Sequence, residues 1–136
     1  MSWYGVLHRP TRQLSYASGG HPPAILISGP DRAGAHVEPL KAPGTPIGTF
    51  PDCAYPNRQI ALNNFNRLFV FSDGAYEIVR PDGSMLSLEE FTNHLVDRTR
   101  SGTSNPDATL AFLEKLRGSA SYEDDLALVE IGFPAT

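Results

Sequence analysis

The run Leu68-Phe69-Val70-Phe71 stops abruptly at Ser72-Asp73-Gly74. Four consecutive apolar residues read as a β-strand buried on both faces. Such a strand needs neighbours on either side and cover above and below, so the rest of the chain must supply them. Asp73 stands where the sheet ends and polar chemistry can begin. Gly74 behind it permits a positive φ and close approach by other groups. The same Asp-Gly pair is also a hairpin-turn signal, and on this segment alone the turn is the simpler reading.

What surrounds that run is short and heavily punctuated. Twelve prolines and twelve glycines in 136 residues favour strands and tight loops over long helices. Met1 to Leu7 reads as an opening strand. After a turn at 9–12, residues Leu14 to Ser18 alternate with period two, so the two runs are expected to form a hairpin. Gly19-Gly20-His21-Pro22-Pro23 is a rigid loop centred on an imidazole, and a lone His there is more simply a packed turn residue. Ala24 to Ile27 is the next strand, and Val37 to Leu40 a short one. Ala42-Pro43-Gly44-Thr45-Pro46-Ile47-Gly48 forms a second rigid loop without charge. Gln59 to Leu62 reads as a weak strand, and Asn63-Asn64-Phe65-Asn66 as a turn cluster.

Helical spacing begins only after Arg80-Pro81-Asp82-Gly83. Ser87 and Glu90 have the spacing of a capping box, and Leu88, Phe91, Leu95 and Val96 share one helical face over Leu88 to Thr99. Asn105-Pro106 and Gly118 bracket a second helix over Asp107 to Leu116. Leu126 to Ile131 closes the chain as a strand. Strands, then helices, then one strand do not give the alternation of a parallel doubly wound sheet. The fold class expected is α+β, with antiparallel layers. A phospho-acceptor domain using Asp73 would need repeated strand-helix alternation, and the opening hairpins argue against it.

Composition excludes several functions. The net charge of −4 does not suit a nucleic-acid binder, which needs a basic face. There is no apolar run long enough to cross a bilayer and no signal-peptide pattern at the start, so no membrane partner is expected. The single Cys53 cannot form an internal disulfide, which leaves a reducing cytoplasm as the expected location.

Asp124-Asp125 precedes the closing strand. If that strand is the antiparallel neighbour of Leu68 to Phe71, then Asp73, Asp124 and Asp125 fall at the same end of the sheet. Hard oxygen ligands clustered there suit Mg²⁺ or Mn²⁺. In isolation, Asp124-Asp125 reads more simply as a solvated turn before the strand.

Four segments in order, LSYASGGHPP, APGTPIG, LFVFSDGAYE and DDLALVEI, resemble the type 2C-like (PPM-type) serine/threonine protein phosphatases. The similarity is to their bacterial branch, which includes the sporulation stage II E and sigma-factor-regulating phosphatases. It runs from Trp3 to Ile131 and implies an antiparallel β-sandwich flanked by helices. It also implies hydrolysis of phosphoserine or phosphothreonine, in this branch often on anti-sigma-factor antagonists, by water activated between two Mn²⁺ or Mg²⁺ ions. By position, Asp73 and Asp124 match metal ligands, with Asp125 beside them. Gly20 and His21 match a loop near the site, and Gly74 the glycine of the strand-end motif.

The family's first Asp-rich metal motif lies upstream of everything matched. Residues 1–136 are therefore expected to be one domain, the C-terminal part of a phosphatase domain incomplete at its N-terminus. The isolated chain is then expected to be inactive, with an exposed edge open to homodimerisation. A non-catalytic binding or regulatory module on the same scaffold is the alternative.

Overall fold

The computed structural model describes residues 2–118 and 125–135. Seven strands and two helices follow in the order β1 (Ser2–His8), β2 (Gln13–Gly19), β3 (Ala24–Gly29), β4 (His36–Leu40), β5 (Arg58–Ala61), β6 (Phe65–Phe71), α1 (Leu88–Ser101), α2 (Pro106–Arg117) and β7 (Leu128–Phe133). One sheet has the order β1-β2-β5 and the other β4-β3-β6-β7. Every strand pairing is antiparallel. This is the α+β architecture expected, and it removes the phospho-acceptor reading.

Side-chain alternation along β3 and β6 builds two apolar layers from one sheet. Ile25, Ile27, Phe69 and Phe71 point to one side and pack with Phe91, Leu95 and Leu113 of the helices. Leu26 and Leu68 point to the other, where Leu14 and Tyr16 of β2 meet them. The central run is thus covered on both faces, as its composition demands.

Local chemistry sets the helix ends. The Ser87 hydroxyl accepts from the Glu90 amide, and the Glu90 carboxylate accepts from the Ser87 amide, which closes the expected capping box. Asn105 accepts from the Ala108 amide, with Pro106 in the first turn behind it. The helices dock to each other partly through rings. His94 of α1 stacks on Phe112 of α2 with centroids 3.8 Å apart and planes within 7°.

Burial lowers the His94 pKa most, and the Arg98 charge adds to this while Asp97 opposes it. The unfolded chain therefore takes up a proton at His94 near the ordinary value of about 6.5, before the folded chain does. Stability from this group is intact above that pH and falls as pH drops through it. Thermal melts between about pH 7.5 and about pH 5 should show a declining Tm. His94→Phe, which keeps a stacked ring but cannot titrate, should flatten the decline; an unchanged slope would show that His94 is not its source.

Two expectations about segment ends are corrected. Phe65 and Asn66 belong to β6 and not to a turn. Asn66 is buried, and its side chain does the turn's work while its backbone stays in the ladder. It accepts from the Ser28 hydroxyl at 2.8 Å and the Asn63 amide at 3.0 Å, and donates to the Asn63 carbonyl at 2.6 Å. At that same end Arg12 spans the sheets, donating to the carbonyls of Pro134 at 2.9 Å and Asn63 at 2.8 Å. The closing strand begins at Leu128, two residues later than Leu126.

Candidate functional site

Ser72 explains that late start. Its amide donates to the Ala127 carbonyl, continuing the β6–β7 pairing by one bond at 2.9 Å. Its hydroxyl then donates to the Asp125 carbonyl and accepts from the Ala127 amide, both at 2.9 Å. A side chain thus replaces the next ladder partner, and residues 125–127 are held to the end of β6 without joining the sheet. Asp73 is the next residue after this clamp. Asp73 and Asp125 therefore sit at the same end of adjacent antiparallel strands, where Phe71 faces Leu128. Asp124 lies outside the described residues, so the expected approach of Asp73 to Asp124 lies outside them too.

Asp73 does not start a hairpin. Asp73–Ala75 forms a single 3₁₀ turn with Gly74 and Ala75 buried. Gly74 is not among the glycines with positive φ, contrary to expectation. A 3₁₀ turn uses right-handed dihedrals, so the chain leaves the strand by winding and not by reversing. Tyr76 returns from this turn with its hydroxyl 3.4 Å from Asp73 Oδ1. Burial raises the Tyr76 pKa, and the negative charge of Asp73 raises it further. The phenol stays protonated and offers its hydrogen to the carboxylate. Neither Ser72 nor Tyr76 stood out in the sequence, although Tyr76 lies three residues after Asp73, one turn of a 3₁₀ helix.

The His21 loop belongs to the same end of the sandwich, because residues 20–23 join the end of β2 to the start of β3, beside the end of β6. Ser18 holds it, accepting from the His21 amide and donating to the His21 carbonyl, both at 3.2 Å. His21 Nδ1 lies 2.7 Å from the Pro22 carbonyl oxygen. A carbonyl only accepts, so Nδ1 carries a proton, and in the neutral ring Nε2 is the nitrogen left for other partners.

The second rigid loop closes over the first. The Gly20 amide donates to the Gly44 carbonyl at 3.0 Å. Gly20 has φ +74°, and a Cβ there would meet the Pro46 ring at 2.7 Å. A Cβ on Gly44 would collide with the Ser18 carbonyl oxygen. Both glycines are needed for the close approach, and Ile47 and Phe50 are left exposed on the outer side of the pair.

Asp73 and Asp125 offer carboxylate oxygens, the donor type that hard divalent cations take. In number they fall short. Among the described residues no group of three or more His, Cys, Asp or Glu side chains converges. The residues present fit one such cation in kind, with water filling most positions.

Comparison with known proteins agrees with this fold. The model of the family described as Stage II sporulation protein E (SpoIIE) matches residues 2–134. A search of curated proteins finds no match. Among solved structures, the RsbU and RsbW domains of Rv1364c from Mycobacterium tuberculosis superpose with a TM-score of 0.70 at 27% identity, covering 98% of this chain and 36% of that one. The SiaA-PP2C domain of Pseudomonas aeruginosa gives 0.71 at 21% identity, covering 96% and 50%. The Mn-presoaked phosphatase domain of the cell fate determinant SpoIIE from Bacillus subtilis gives 0.66 at 14% identity, covering 98% and 56%. The last two are alike in fold alone. This chain spans between about a third and just over half the length of these structures. With the fold, the order of its motifs and the match over nearly every residue in agreement, the chain belongs to the SpoIIE family of PPM-type phosphatase folds.

Proposed function

We propose that residues 1–136 are the C-terminal part of a metal-dependent serine/threonine phosphoprotein phosphatase domain. The observation that carries this reading is the Ser72 clamp, which brings Asp73 and Asp125 to one sheet end. Asp73 and Asp125, with Asp124 by family resemblance, would hold Mn²⁺ or Mg²⁺. When bound, such an ion lowers the pKa of attacking water and neutralises charge on the phosphate oxygens.

The chain's own residues prepare the place. Ser72 fixes the distance between the two carboxylate-bearing backbones. Tyr76 hydrogen-bonds one Asp73 oxygen and so orients that carboxylate. The interlocked Gly20 and Gly44 loops stiffen the rim that carries His21. The substrate class is a phosphoserine or phosphothreonine protein, an anti-sigma-factor antagonist being the proposed case, acting in bacterial signalling in the cytoplasm. The second reading is a non-catalytic binding or regulatory module on the same scaffold.

The test is phosphate release from a phosphoserine peptide and an aryl phosphate under an Mn²⁺ titration. The 136-residue chain should show little turnover, because too few carboxylates are present to hold two ions. A version extended upstream should be active. Ser72→Ala in that version should raise the Mn²⁺ concentration needed for half-maximal rate by about tenfold, the order seen when a group that orients a metal ligand is lost. An inactive extended version would leave the regulatory reading standing.

A further inference from the structure

His21 stands where the polypeptide around a phosphate at this sheet end would pass. In the pairing of β3 with β6, Ile25 faces Phe69 and Leu26 faces Leu68. Counted back beyond the strands, that register puts residue 21 level with Asp73. Ser18, a buried side chain, holds the His21 backbone through both its amide and its carbonyl. The ring is held as well, through Nδ1 on the Pro22 carbonyl. The neutral ring therefore keeps its proton on Nδ1, and Nε2 presents a lone pair with no hydrogen-bond partner among the described residues. That lone pair does not complete a cation site with Asp73 and Asp125, because no three such side chains converge among the described residues.

The loops around Nε2 are short of donors. Pro22, Pro23, Pro43 and Pro46 carry no N–H. The His21 amide is spent on Ser18, the Gly20 amide on the Gly44 carbonyl and the Thr49 amide on the Pro46 carbonyl. Whatever pairs with Nε2 has to bring the hydrogen. A phosphate monoester near neutral pH offers acceptor oxygens, so it is the wrong partner for a lone pair. A backbone amide is the right one, since every residue but proline carries an N–H.

We propose that His21 Nε2 accepts a hydrogen bond from a backbone N–H of the substrate polypeptide, within one residue of the phosphoserine. The inference rests on the phosphoprotein phosphatase reading and deepens it. His21 is then a specificity residue that touches the polypeptide and not the phosphate. It makes the site prefer an ordinary amide at that position over an ester or a proline.

The probe is a peptide bearing a phosphonate mimic of phosphoserine, which cannot be hydrolysed, offered with Mn²⁺ to the version extended upstream. Two counterparts replace the amide of the phosphonate residue, or of the residue after it, by an ester. One of the two esters is expected to bind about fivefold more weakly than the amide, the effect of one net hydrogen bond. His21→Phe keeps a ring but has no acceptor, and should bind amide and ester alike. His21→Gln, whose side-chain carbonyl accepts, should keep the preference. A merely structural role for His21 would weaken both ligands equally and leave the preference intact in His21→Phe, which overturns the proposal. So does absence of binding, or of any preference in the wild type. An Nε2–H tautomer of His21 in nitrogen spectra of the 136-residue chain overturns it too, because Nε2 would then donate. The readout is binding, so an amide preference without phosphate release from a phosphoserine peptide sinks the catalytic reading and leaves this one intact. Release without the preference does the reverse.

Discussion

Asp73→Asn, placed in the version extended upstream, is expected to lower Mn²⁺-dependent phosphate release by about a hundredfold or more while leaving the thermal midpoint close to wild type. The substitution keeps the size and the Tyr76 contact but removes the negative charge. A metal ion supplies several kcal/mol of charge stabilisation in such hydrolyses, and loss of about 3 kcal/mol of it corresponds to roughly a hundredfold in rate. Excess Mn²⁺ should restore part of the rate if the loss is one of affinity. Full activity in the variant would remove Asp73 from the site, and with it the reading of this sheet end as a metal centre.

The second large effect is on stability. Phe71→Ala should destabilise the chain by about 3–5 kcal/mol, the usual range for a fully buried aromatic. Phe71 is 2% exposed and makes edge contacts with Phe91 at 5.0 Å and Tyr76 at 6.1 Å between centroids. It joins the central strand to α1 and to the turn that carries Asp73, so no single neighbour can relax into the hole. Against a total of about 5–15 kcal/mol for a domain, the urea midpoint should fall steeply. Ile47→Ala, on a side chain 70% exposed, should move it by no more than about 0.5 kcal/mol. Similar shifts for the two would mean that the core is not organised around β6.

The features readable in the sequence were those whose causes lie within a few residues. Ser87 with Glu90, and Asn105 with Pro106, mark helix starts because capping is a local exchange of hydrogen bonds. Leu68 to Phe71 announced a doubly covered strand because four apolar residues cannot all be solvated. What escaped depended on distant partners. Asn66 looked like a turn residue, and its strand position follows from Ser28, 38 residues away. The start of β7 moved because Ser72 captures residues 53 and 55 positions further on. Gly44 showed only as a loop glycine, since nothing nearby in sequence reveals the Ser18 carbonyl against it. For the proposed site, the motif order pointed to Asp73 and the 124–125 pair, but the Ser72 clamp rests on residues far along the chain and has no local pattern.

The Ser72 clamp also fixes when the site can exist. β6 and β7 are joined only through both helices, so their pairing closes a long loop and comes late in folding. During synthesis, Asp73 leaves the ribosome well before Asp125, and the hydroxyl that unites them has no partner until the last strand arrives. An incompletely made chain can bury most of the helix-facing core, but it cannot assemble this end of the sheet. The geometry of this sheet end therefore depends on residues 125–127, and pulsed hydrogen exchange during refolding should find them protected among the last.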